Sequence, residues 1–116
     1  MSELSMKAES LVCSWLRERG WSIVARNYRT RRSEVDIIAS RAGITSFVEV
    51  KFAGDSSRTM ALEKIDPEKQ SRIIHAATVF VNEHPAEGQY RFDVVVVRGS
   101  PDDMRVGTYI EDAFRP

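Results

Sequence analysis

Apolar residues recur along the chain in two rhythms. Ala8, Leu11, Val12 and Trp15 fall at i, i+3, i+4 and i+7, one face of a helix over residues 6–19, and Gly20 stops it. Beyond Gly20 the spacing loosens to alternation, which predicts strands over residues 21–28, 34–40 and 45–52. Residues 29–33 read as a basic turn and 40–43 as a hairpin turn. Residues 53–64 begin small and polar and read as a mobile loop.

Asp66-Pro67 is a helix start, with Asp as N-cap and Pro at the first helical position. This second helix runs to about His84, with Ile73, Ile74, Ala77, Phe80 and Val81 on its apolar face and Gln70 one turn earlier on the same stripe. Residues 90–98 form a strand whose FDVVVV run is apolar on both faces, as a central strand requires. Residues 104–110 make a last strand at an edge. The order αβββαββ implies an α/β protein: a mixed sheet with helices packed on it. The length of 116 residues suits a single domain over 1–116.

Two short stretches break the oily pattern. Glu34 and Asp36 share one face of the second strand, and Glu49 and Lys51 share one face of the third, because side chains alternate. If the hairpin brings these faces together, carboxylates and an ammonium converge. Crowded carboxylates are unfavourable, and a divalent cation relieves them. Mg²⁺ takes one or two carboxylates and fills its other positions with water and substrate phosphate. Acid-x-Lys, at Glu49-Val50-Lys51, is about as frequent as composition alone gives, and cross-strand ion pairs on a solvated face would look the same. Glu9, at the border of the first helix's buried stripe, is costly there unless something pairs with it.

Charge narrows the partners. The formal net charge is +0, against a general nucleic-acid coat. Yet residues 17–32 hold six arginines and one acid, among them Arg26, Arg29, Arg31 and Arg32. Arginine grips phosphate bidentately, so this segment is the candidate phosphate-binding surface. A lone cysteine, Cys13, rules out an intrachain disulfide and a metal site built on several cysteines, and suits a reducing cytoplasm. No signal peptide is legible at the N-terminus, and the valine run 94–97 is far below the roughly 18 residues of a membrane span.

The segments AESLVCSWLRERGWSIVARNYRTRRSEVDIIA, SFVEVKF, DPEKQSRIIHAA, YRFDVVVV and EDAF resemble the YraN-type family of small bacterial proteins, uncharacterised protein family 0102. That family is similar to archaeal Holliday junction resolvases and to the PD-(D/E)XK, restriction-endonuclease-like fold. The resemblance implies Asp36, Glu49 and Lys51 as the motif's acid, acid and lysine, and Glu9 as the resolvases' helical glutamate. Gln70 lies where some nucleases of the superfamily carry a helical glutamine. Val35 stands in place of the motif's proline, Arg32-Ser33 where the family often has Gly-Gly, and Phe52-Ala53 where it usually has Thr-Arg.

The expectation is a metal-dependent endonuclease acting on DNA, including branched DNA. Asp36, Glu49 and the Val50 carbonyl would bind Mg²⁺ or Mn²⁺, Lys51 would serve the water or the transition state, and Glu9 and Glu34 would complete an acidic pocket. A homodimer is implied by analogy with resolvases. Its rivals are a nucleic-acid-binding module of the same fold that does not cleave, and a partner-binding protein whose charged quartet is a salt-bridged face.

Overall fold

The computed structural model describes residues 2–54 and 65–116. Helix α1 (Glu3–Glu18) starts earlier than the apolar spacing alone suggests. The Ser2 side chain accepts a hydrogen bond from the Ser5 N–H at 3.0 Å and caps the free end. The chain continues through β1 (Ser22–Arg29), β2 (Glu34–Arg41), β3 (Ile44–Gly54), α2 (Pro67–Glu83), β4 (Gln89–Ser100) and β5 (Asp103–Phe114). Asp66 caps α2, accepting from the Lys69 N–H at 2.8 Å, as the Asp-Pro pair predicts. Of the expected loop over 53–64, Ala53 and Gly54 belong to β3 and the rest lies outside the described residues.

The five strands lie in the order β1-β2-β3-β4-β5. Among the described residues only β3 and β4 run parallel, and helix α2 is the crossover that a parallel pair requires. Among the described residues this is a mixed sheet with two helices in the order αβββαββ, which fits an α/β fold of restriction-endonuclease-like type.

Neighbouring strand residues divide between two cores. Val48, Ile37, Val95 and Val97 pack with Ala8, Val12 and Leu16 of α1. Phe47, Ile38 and Phe92 pack with Ile73, Ala77 and Phe80 of α2. The two helices thus cover opposite faces, and each residue of the Val94–Val97 run is 0% exposed. Val35 departs from the alternation: it joins Ile38 in the α2 core, whereas Ile37 joins the α1 core. The ladder of β2 with β3 ends at the Ile37–Val48 pair, and Val35 lies beyond it.

Two residues close the β2–β3 hairpin, Ala42 at φ 49° and Gly43 at φ 78°. Both are left-handed, the geometry that matches the twist of paired strands. The turn pins Arg41 opposite Ile44, and from there the register runs to Ile37 opposite Val48.

A second anchor lies between β4 and β5. Asp93, 0% exposed, accepts from Ser46 Oγ at 2.6 Å, Tyr109 Oη at 2.7 Å and the Asp112 N–H at 2.8 Å. Arg91 adds a two-pronged pair at 2.8 and 3.0 Å. Both Asp93 oxygens are saturated with donors, so this acid is structural. Among the described residues no helix is long and apolar enough to cross a membrane.

Removing Asp93 strips Arg91 and three other donors of their acceptor at once. Asp93→Ala should cost about 3–5 kcal/mol, read from urea unfolding monitored by circular dichroism. A cost below about 1 kcal/mol would mean that water replaces the carboxylate.

Candidate active site

Extending the β2–β3 register one step past Ile37–Val48 sets Asp36 opposite Glu49. The ladder has ended there, and the strands no longer bond backbone to backbone. The Asp36 carboxylate takes up the freed Val50 N–H at 2.8 Å. It also stands within hydrogen-bonding reach of the Glu49 carboxyl. Both acids line a pocket of about 320 Å³ that Glu9, Lys51 and Lys69 also enter.

The electrostatics follow from crowding. Burial, and then the negative charge of Glu49, push the Asp36 carboxyl up to about 8. The Val50 N–H works against this and does not offset it. Glu9, 4% exposed, is also raised, chiefly by burial, against the lowering effects of Asn27 and Arg26. Asn27 stands beside the Glu9 carboxyl and favours its charged form, yet Glu9 Oε1 is buried with no partner among the described residues. Glu49 is better supplied: Lys69 Nζ lies 2.6 Å and Lys51 Nζ 3.8 Å from its Oε1. Burial and the neighbouring Lys69 lower the pKa of Lys51.

These residues fit a hard divalent cation. Among the described residues no three His, Cys, Asp or Glu side chains gather into a ligand set of their own. A cation here would draw on two carboxylates, backbone oxygen and water, which is the pattern of Mg²⁺ and not of structural Zn²⁺. The crowded Asp36 and the partnerless Glu9 oxygen are both groups that such a charge would relieve. A roomier hollow, about 480 Å³, lies between α1 and the β4–β5 hairpin. It is lined by Met6, Leu11 and Met104 and has no opposed buried carboxylates.

The profile of the uncharacterised protein family UPF0102 matches residues 8–97. The chain belongs to this family. A UPF0102 protein of Chlorobium phaeobacteroides is 41% identical over 82% of this chain and 76% of its own length. One from a Synechococcus strain is 37% identical over 98% of this chain and 92% of its own. A third, from Pseudomonas putida, is 35% identical over 92% and 88%.

In this UPF0102 chain the residues singled out in the sequence separate into groups. Asp36, Glu49, Val50, Lys51 and Glu9 meet at the pocket. Glu34 does not line it; its carboxylate turns to Arg29 Nε at 3.2 Å. Gln70 is occupied too, donating from Nε2 to the Ile65 carbonyl at 3.0 Å. Of the arginines, Arg26 donates to Ser10 Oγ at 3.1 Å and Arg29 holds Glu34. Arg31 and Arg32 are exposed, and their guanidiniums have no partner among the described residues.

Two residues of this corner escaped the sequence reading: Lys69, which lines the pocket, and Asn27, beside Glu9. Lys69 sits in the first turn of α2, where the helix dipole disfavours a cation, and that misfit was the available signal. Asn27 adopts φ 51° inside β1, and asparagine tolerates this left-handed conformation better than most residues. An isolated asparagine in a loosely alternating strand carries no such message in sequence.

Folding raises Asp36 from 3.8 to about 8, so over that interval the native state keeps a proton that the unfolded chain has lost. Stability must therefore fall as pH rises through the interval. Asp36→Asn keeps an acceptor for Val50 and removes the titration. Its melting temperature should fall less between pH 5 and 8 than the parent's, and should exceed the parent's at pH 8 by at least about 4 °C. A variant that melts lower at pH 8 would mark Asp36 as a structural partner.

Proposed function

We propose that this protein is a metal-dependent endonuclease of PD-(D/E)XK type, hydrolysing phosphodiester bonds in cytoplasmic DNA, branched DNA included. One observation carries the reading: the half-buried Asp36 carboxyl meets the buried Glu49 carboxyl at a pocket where Asp36 has a single N–H donor. A structural acid in this same fold, Asp93, is saturated with donors, so the shortage is local to the pocket.

Mg²⁺ or Mn²⁺, held by the Asp36 and Glu49 carboxylates with the Val50 carbonyl, would polarise the phosphate and acidify bound water. Lys51 orients the attacking water or neutralises charge developing on the phosphate, and a lowered pKa makes its proton easier to share. Glu9, on the pocket wall, adds a third acid to the site. Arg31 and Arg32, two to three residues before Glu34 and without internal partners, hold the DNA backbone. Cutting two strands of a branched substrate requires two such sites, supplied by a homodimer.

A second reading, a nucleic-acid-binding module without cleavage, draws on the Lys69–Glu49 contact, which already neutralises one of the two acids.

The deciding experiment incubates linear, flapped and four-way DNA with the protein and Mg²⁺ or Mn²⁺. Cleavage is expected, with Glu49→Gln and Lys51→Ala each losing ~10²–10³-fold in rate while DNA affinity is largely kept. Ca²⁺, with longer and looser coordination, should support binding and no turnover. DNA binding without cleavage by either metal establishes the binding module. Binding of neither DNA nor metal returns the site to a salt-bridged, partner-binding face.

The DNA surface has its own test. Arg31→Ala with Arg32→Ala should flatten the dependence of log affinity on log salt by about two units. An unchanged slope moves the DNA surface off the β1–β2 loop.

A further inference from the structure

Glu49 Oε1 has two ammonium neighbours on unequal terms. Lys69 Nζ is at 2.6 Å, the closer by far, and Lys51 Nζ is at 3.8 Å. The Lys69 side chain is nevertheless the more open, 38% exposed against 17% for Lys51. Its own helix does not favour it. Lys69 lies three residues after the N-cap Asp66, at the end of α2 where the dipole repels cations. The attraction of Glu49 therefore holds Lys69 in place, and solvent is within its reach.

We propose that the Lys69 ammonium is a displaceable internal counter-ion, which occupies the cation position on Glu49 until a divalent ion takes it and then turns outward to bind phosphate. This rests on the metal-dependent reading above and adds a residue to it. A divalent ion and an ammonium cannot both sit against one carboxylate oxygen, because their repulsion is strong in a pocket shielded from water. Lys51 is enclosed, so Lys69 is the group that leaves. Once freed, it stands at the pocket mouth as a new positive charge, and an anionic backbone is the ligand such a charge selects. The exchange would make metal loading and phosphate binding reinforce each other, a reciprocal coupling between two ligands.

The test measures Mn²⁺ binding by calorimetry on the full chain, its Lys69→Met variant and its Lys69→Arg variant. Without the competing ammonium, Lys69→Met should bind Mn²⁺ roughly tenfold more tightly, and Lys69→Arg should not gain. A second readout needs no variant. Acylation of the parent protein by an N-hydroxysuccinimide ester, followed residue by residue by mass spectrometry, should label Lys69 several-fold faster with Mn²⁺ present, while Lys7 on α1 is unaffected. An equal or weaker Mn²⁺ affinity for Lys69→Met overturns the exchange and leaves the metal-dependent reading intact. So does an unchanged Lys69 labelling rate in a parent protein that binds Mn²⁺. No Mn²⁺ binding by any of the three proteins overturns both.

Discussion

The register of β2 against β3 is the constraint on which the pocket depends. Ile37 opposite Val48 leaves Asp36 facing Glu49 at the next step, where the ladder has ended. A slip of one residue would send one acid to the other face of the sheet and dissolve the cluster. The hairpin turn at Ala42 and Gly43 sets this register at the far end of the strands. Val48 in the α1 core and Phe47 in the α2 core hold it along the way. With both faces buried, a slip would also drive charged groups into the two cores, so the packing enforces the chemistry.

The fold contains two buried acidic centres, and the contrast between them separates structure from function. Around Asp93, side chains and backbone from β3, β4 and β5 supply every donor its oxygens can take, and the result is a rigid tie. Around Asp36 the donors run short: one backbone N–H, and a neighbouring carboxyl that repels. Buried polar groups are ordinarily satisfied, and those that are not concentrate where a protein binds something or does chemistry. The strain at Asn27, left-handed within a strand and beside Glu9, belongs to the same corner of the molecule.

Helix ends bring the remaining charges to this corner. The Ser2 cap starts α1 early enough to place Glu9 on its second turn, facing the parted strands. The Asp66 cap fixes where α2 begins and so where Lys69 projects. Each cap is a local device with a distant consequence, because helix phase decides which side chain meets the pocket.

The sequence by itself determined the element order, the start of α2, the buried β4 strand and the pairing of an acidic strand with Glu49-Val50-Lys51. These rest on local rules: periodicity, capping and alternation act over a few residues and leave their mark in the order of amino acids. Tertiary structure alone decided which charges share a space. Glu34 and Asp36 are equivalent in alternation, yet Arg29 draws Glu34 away while Asp36 meets Glu49. Gln70 looked suited to the pocket, but it bonds the Ile65 carbonyl, and its neighbour Lys69 reaches Glu49 instead. Neither choice is local: each depends on where α2 lands on the sheet and where β2 and β3 part, and those positions are set by packing across the whole fold.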